Sequence, residues 1–267
     1  MIDAAGNVHH PHQGVARIVS LVPSLTELLF DLGLGSSVVG RTGFCIHPHD
    51  AVRRVAKVGG TKDVKLERVR ALRPTHVLLN IDENRREDAQ ALVASGINVV
   101  VTHPLEPRDN FGLYQLLGHI FAVEAAAQTL ASKLQQALQR VQFDTTAEPP
   151  IDVLYLIWRR PWMTISADTY IARMLALANL RAVSPALEAR YPELADTDPL
   201  WQQAHAVLLS SEPFPFHDKH VKEFQHFACG HVELVDGELL SWYGSRAIAG
   251  VDYIARLGSI LRARLNR

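Results

Sequence analysis

The chain has 267 residues, enough for one large domain or two small lobes. Its hydrophobic fraction is 48% and its formal net charge −1, so a sizeable core is available and no charge excess points to nucleic acid or an anionic membrane. Two cysteines, Cys45 and Cys229, are too few for a disulfide framework and suit a reducing compartment.

The first residues lack the basic start, apolar run and small-residue cleavage site of a secretory signal. No run of about 20 apolar residues is present, so the chain reads as not membrane-embedded. As written it is expected to be cytoplasmic, with a periplasmic location as the alternative if a signal was removed. Residues 1–16 are polar and His-rich (His9, His10, His12) and read as a loose arm or short hairpin.

Residues 17–22 form a short β-branched run, read as a buried strand. Ser24 and Glu27 make an S-x-x-E capping box, which starts a helix at Ser24. Strands are predicted at 38–40, 76–80 and 97–102, with helices at 66–72 and 85–95. This alternation signals a parallel α/β lobe over 17–108. Residues 110–141 then carry Phe111, Leu116, Leu117, Ile120, Phe121, Leu130, Leu134 and Leu138 at helical spacing without a proline. They predict one backbone helix of roughly 30 residues, about 45 Å long, within a segment 109–147. A second α/β lobe, 148–267, follows: strands at 151–158, 206–210 and 231–235, helices at 169–180, 217–227 and 246–265.

A weak internal repeat relates residues 74–83 to 204–213: in each an apolar strand delivers a polar loop containing acid. In open α/β sheets ligands sit at that carboxyl end of the strands. The expected fold class is α/β, two Rossmann-like lobes bridged by one long helix, with a ligand cleft between them.

This order, together with Arg17-Ile18-Val19-Ser20-Leu21-Val22-Pro23-Ser24-Leu25-Thr26-Glu27-Leu28, Val38-Val39-Gly40, Val58-Gly59-Gly60-Thr61, residues 66–78, the segment Trp158 to Thr164 and the late Trp242-Tyr243 with Arg246, resembles a known family. It is similar to the helical-backbone (class III) solute-binding proteins that deliver vitamin B12, haem and ferric siderophores to ABC importers, with the vitamin B12-binding branch nearest. The resemblance implies binding without catalysis. The expected ligand is a cobalamin, a haem or a ferric chelate, with no cofactor required. It also implies docking onto an importer permease through one acidic residue per lobe. Glu67 stands at the first such position; at the second stands Thr197, flanked by Asp196 and Asp198.

Candidate ligand contacts follow from chemistry. Trp158, Trp162, Trp242 and Tyr243 suit a large flat ligand, because ring contact buries much apolar area at little entropic cost. Arg246, Arg159 and Arg160 suit carboxylate or phosphate groups. Asp82, Glu83 and Asn84 form the polar loop after the 76–80 strand, and Thr61 belongs to a Gly59–Lys62 turn whose amides suit an anion. Each has an ordinary reading too: core packing, surface ion pairs or helix capping.

Cys45 with His47, and His217 with His220, are candidate metal ligands, extended in the second case by His226, Cys229 and His231. A metal-binding protein or metalloenzyme using these groups is the competing function, and a cytoplasmic sensor or partner-binding protein the third. G-x-S-x-G, H-E-x-x-H and G-x-G-x-x-G are all absent from the sequence.

Overall fold

The computed structural model describes residues 1–141, 149–185, 189–224 and 230–265. The strands are β1 (Ile18–Ser20), β2 (Val38–Arg41), β3 (Ala56–Lys57), β4 (His76–Asn80), β5 (Asn98–Thr102), β6 (Ile151–Leu156), β7 (Trp162–Met163), β8 (Leu180–Ala182), β9 (Glu193–Leu194), β10 (Ala206–Ser210) and β11 (His231–Val235). The helices are α1 (Pro23–Asp31), α2 (His49–Val52), α3 (Leu66–Ala71), α4 (Arg86–Val93), α5 (Asn110–Phe121), α6 (Glu124–Arg140), α7 (Tyr170–Ala176), α8 (Leu200–Gln203), α9 (Asp218–Phe224), α10 (Gly237–Ser241) and α11 (Arg246–Leu265). Among the described residues no helix is long and apolar enough to cross a membrane.

Contacts divide the chain into two compact units. Unit 1 holds Met1–Pro104, Arg108–Lys133 and Tyr243–Arg246; unit 2 holds Leu105–Pro107, Leu134–Trp242 and Ala247–Arg267. In unit 1 five parallel strands run in the order β3-β2-β1-β4-β5. Ile18 and Val19 on the central strand are wholly buried, as expected for a parallel sheet covered on both faces. Val19, Leu21, Val77, Leu79, Leu92 and Val99 form its core.

Pro23 opens α1 at a position whose amide needs no partner, and Leu25, Leu28 and Leu29 bury its inner face completely. Each such burial stabilises by about 1.5–3 kcal/mol. The expected capping box does not form. The helix starts one residue earlier than read, its N-cap is Val22 without a side-chain bond, and Ser24 lies buried inside the first turn. Glu27 turns instead to Arg246.

The N-terminal arm is ordered rather than loose. Ile2 bridges Val8 in a small hairpin, and Ala4 donates its amide to the Val101 carbonyl at 3.0 Å. Strand β5 stands at the end of the sheet, and such an edge presents open backbone groups that proteins tend to cover.

In unit 2 four parallel strands run in the order β11-β10-β6-β8, with β7 and β9 as a separate antiparallel pair. The internal repeat is visible in the fold: β4 and β10 are both five residues long and buried throughout. Helix α11 spans the range read from the sequence.

The single backbone helix expected over 110–141 is two helices, α5 and α6, and the remainder of the expected segment, 142–147, falls outside the described residues. Ala122 breaks the run with a left-handed backbone (φ 54°), donating its amide to the Gly118 carbonyl. Gly118 lies against α6: an added Cβ would sit 2.9 Å from that of Ala127. An L-residue in this conformation costs roughly 1 kcal/mol that glycine does not. Ala122→Gly is therefore expected to raise stability by about 0.5–1 kcal/mol in urea unfolding. A loss of stability would show that Ala122 is favoured by its surroundings.

Candidate functional site

In unit 1 the loops after β2, β3 and β4 gather at the carboxyl end of the sheet. Asn84 organises them. Its side-chain amide donates to the Thr61 carbonyl at 3.0 Å and to the Leu21 carbonyl at 3.3 Å, and its Oδ1 accepts the Asn80 amide at 2.9 Å. Asn84 is buried and ties these loops together. Lys62 donates to the Asp82 carbonyl at 2.7 Å, and His103 lies 3.4 Å from the Asp82 carboxylate. Gly59 adopts φ +116°, and an added Cβ would collide with the Asp63 carbonyl, so this turn requires glycine.

Tyr243 donates its hydroxyl to Glu83 at 2.9 Å, which joins two residues picked out separately from the sequence. Burial, then the Glu83 carboxylate, hold the Tyr243 phenol well above its ordinary range. The residues that follow are also fastened into unit 1. Gly244 donates to Asn110 Oδ1 at 2.5 Å and accepts the Tyr114 hydroxyl at 2.9 Å. Arg246 grips Glu27 with two hydrogen bonds of 2.7 and 2.6 Å. The guanidinium that was a candidate for ligand contact is thus engaged by a carboxylate of its own unit.

In unit 2 the tryptophans part ways. Trp162 is mostly buried and belongs to the core with Leu154, Leu209, Trp201 and Phe224. Its indole donates to Asp196 at 2.7 Å, and Arg159 lies over its ring, 5.5 Å from the centroid. Trp242 is buried too, its indole donating at 2.6 Å to Glu212, which also accepts the Ser241 hydroxyl at 2.8 Å. Burial pushes the Glu212 carboxyl up, against the pull of those donors. Trp201, expected to pack, does so at 2% exposure. Trp158, by contrast, is 40% exposed just beyond β6, its ring edge-on to Phe214 at 5.7 Å.

The metal candidates are occupied otherwise. The Cys45 thiol is buried, with Thr26 Oγ1 donating at 3.0 Å and Thr42 Oγ1 lying at 3.2 Å, and burial raises its pKa. His47 is half-buried in the same loop. The His220 ring accepts the His217 backbone amide at 2.9 Å, and the two rings stack with centroids 6.0 Å apart. Among the described residues no three His, Cys, Asp or Glu side chains are grouped to hold a metal ion. His226 and Cys229 lie outside the described residues.

Three residues that sequence reasoning passed over stand open at the carboxyl end of unit 1's sheet. Phe44 is 63% exposed beside Gly60, and Ile46 and Ile81 are 46% exposed. The signal was present: Phe44 and Ile46 flank Cys45, and Ile81 follows β4 directly, all apolar where a solvent loop favours polar residues.

A family model described as periplasmic binding protein matches residues 18–212. The vitamin B12-binding protein of Photorhabdus laumondii is 22% identical over 202 residues, covering 76% of this chain and 73% of the relative. Among solved structures, the periplasmic vitamin B12-binding protein of Vibrio cholerae superposes with a TM-score of 0.81 at 18% identity, covering 92% of this chain and 98% of that one. A periplasmic heme-binding protein of Pseudomonas aeruginosa gives 0.76 at 20% identity, covering 91% and 92%. Two compact α/β units, built on parallel sheets with open apolar side chains at the strand ends, together with a match over most of the chain, show that the protein belongs to the periplasmic binding protein family.

Proposed function

We propose that the chain is a non-catalytic receptor for a cobalamin-like metal chelate, which it delivers to an ABC importer. The observation that carries this reading is the set of large apolar side chains open at strand carboxyl ends: Phe44, Ile46 and Ile81 in unit 1 and Trp158 in unit 2. Such side chains are costly to leave in water unless they meet an apolar ligand face, and this end of an α/β sheet is where ligands bind. Relatives and structural neighbours named for vitamin B12 and heme support a chelate of that class. Their periplasmic location favours that compartment over the cytoplasmic reading. Glu67, in the first turn of α3 and 87% exposed at its side chain, fits the importer-docking role; it pairs with the neighbouring Arg70 at 2.5 Å. In unit 2, Asp196 is taken up by Trp162 and Asp198 caps the approach to α8, which leaves exposed Thr197 between them.

The test is a visible-absorption titration with cyanocobalamin, then hemin and a ferric siderophore. Saturable binding of one of them at micromolar affinity or tighter is expected. Absence of binding by all three would overturn the reading. Trp158→Ala is expected to weaken binding about 10-fold or more, because an aromatic anchor on a ligand is worth about 1.5–3 kcal/mol, while leaving the thermal transition unchanged. Unchanged affinity in Trp158→Ala and in Phe44→Ala would remove these side chains from the site.

A further inference from the structure

Two further attachments join the Ala4–Val101 backbone bond in holding residues 1–12 on unit 1. The first is Asp3, whose carboxylate accepts the amides of Ala5, Asn7 and Val101 at 2.9 Å each, the Asn7 side chain at 3.0 Å, and lies 3.0 Å from His9 Nε2. The second is His12. Its amide donates to the Ile120 carbonyl at 2.8 Å, and its ring meets that of His76, the first residue of β4, edge-on at 5.0 Å. His76 in turn meets Phe121 at 5.0 Å. His12 Nε2 is buried without a hydrogen-bond partner.

We propose that the arm is an acid-released strap: the ring contact between His12 and neutral His76 holds its far end beside the sheet, and protonation of His76 frees that end and bares the start of β4. The groups facing the pair fit this. From the arm comes His9, itself 3.0 Å from the Asp3 carboxylate. From the β4 side comes Thr75, whose Oγ1 lies 3.0 Å from His76 Nδ1. From α5 come the Phe121 ring and the Ile120 carbonyl, from β5 Asn98, paired opposite His76, and before β1 Arg17, whose carbonyl accepts the His76 amide at 3.2 Å while its guanidinium is held by the Leu72 and Arg73 carbonyls. The Asp3 carboxylate is engaged by His9, so a proton on His76 meets a second imidazole and an apolar ring.

Burial, then His12 and His9, hold His76 down to about 4. A base depressed in the closed state takes up its proton more readily in the open one. The strap is therefore fully favoured above an ordinary imidazole pKa of 6.5 and loses that advantage as pH falls from there toward 4. Opening is expected to rise about 20-fold between pH 7.5 and 5.0.

Hydrogen exchange by mass spectrometry on the full chain, corrected for intrinsic exchange rates, tests this. Protection of the 9–16 segment is expected to fall about 20-fold between those pH values, while β10 in unit 2 stays constant. In a His12→Gln/His76→Gln variant the pH dependence is expected to vanish. PH-independent protection in the wild type, a matching fall in β10, or a dependence that persists in the variant would each overturn the proposal. If the variant does not fold, the wild-type contrast between the arm and β10 decides alone.

Discussion

Arg246→Ala is expected to destabilise unit 1 by about 3 kcal/mol, roughly a hundredfold in the folding equilibrium. Arg246 and Glu27 are 17% and 18% exposed at their side chains, and the contact is a two-bonded fork. Charge-assisted forks of this kind are among the stronger polar contacts, because geometry and charge act together. Removing the arginine leaves the Glu27 carboxylate half enclosed against α1 without its donor, which costs more than the pair itself contributes. A paired replacement, Glu27→Gln with Arg246→Met, is expected to recover much of the loss. Denaturant unfolding of Glu27→Gln, Arg246→Met and the double variant against wild type measures this as a cycle. If Arg246→Ala keeps wild-type stability yet loses ligand, the residue serves the ligand and the ion pair is incidental.

Gly250→Ala carries the other large expected effect, a loss of about 2–4 kcal/mol from overpacking. Helix propensity alone predicts the reverse, since alanine gains about 1 kcal/mol over glycine inside a helix. The difference lies in packing. Gly250 is in the second turn of α11, buried, and an added Cβ would run into the Leu239 backbone carbonyl of α10, with Met174 Cε of α7 at 3.3 Å. A backbone carbonyl cannot swing aside as a side-chain tip can, so either α10 or α11 must shift. The thermal transition of the variant reads the outcome. A transition at or above that of wild type would mean that α10 yields at no cost.

Much of the fold was legible because hydrophobic period and length decided it. Strands at 76–80, 206–210 and 231–235 and the helix at 246–265 follow from uninterrupted apolar runs or stripes between polar turns. The break at Ala122 was not legible, because neither glycine nor proline stands at that position. It brings Ala127 against Gly118, a contact that no local pattern contains. The site was legible in part for a related reason. Sequence marks where an aromatic falls along the chain but not which side of the backbone it occupies. Trp162 lies on a two-residue strand paired to β9 and turns into the core, whereas Trp158, four residues earlier, stays open. The Cys45–His47 segment was read for its ligating atoms, and the structure gives its exposed surface to Phe44 and Ile46 instead.

The fastening of Tyr243–Arg246 into unit 1 has a consequence for inheritance. A gene fragment ending near residue 133 would encode both sheet and helices of that unit yet leave Glu27, Glu83, Asn110 and Tyr114 without the partners they meet in the late tetrapeptide. Neither half is therefore a cassette. Recombination that exchanged one lobe for a relative's would have to carry two distant stretches of coding sequence together, so the two halves are constrained to diverge as a linked pair.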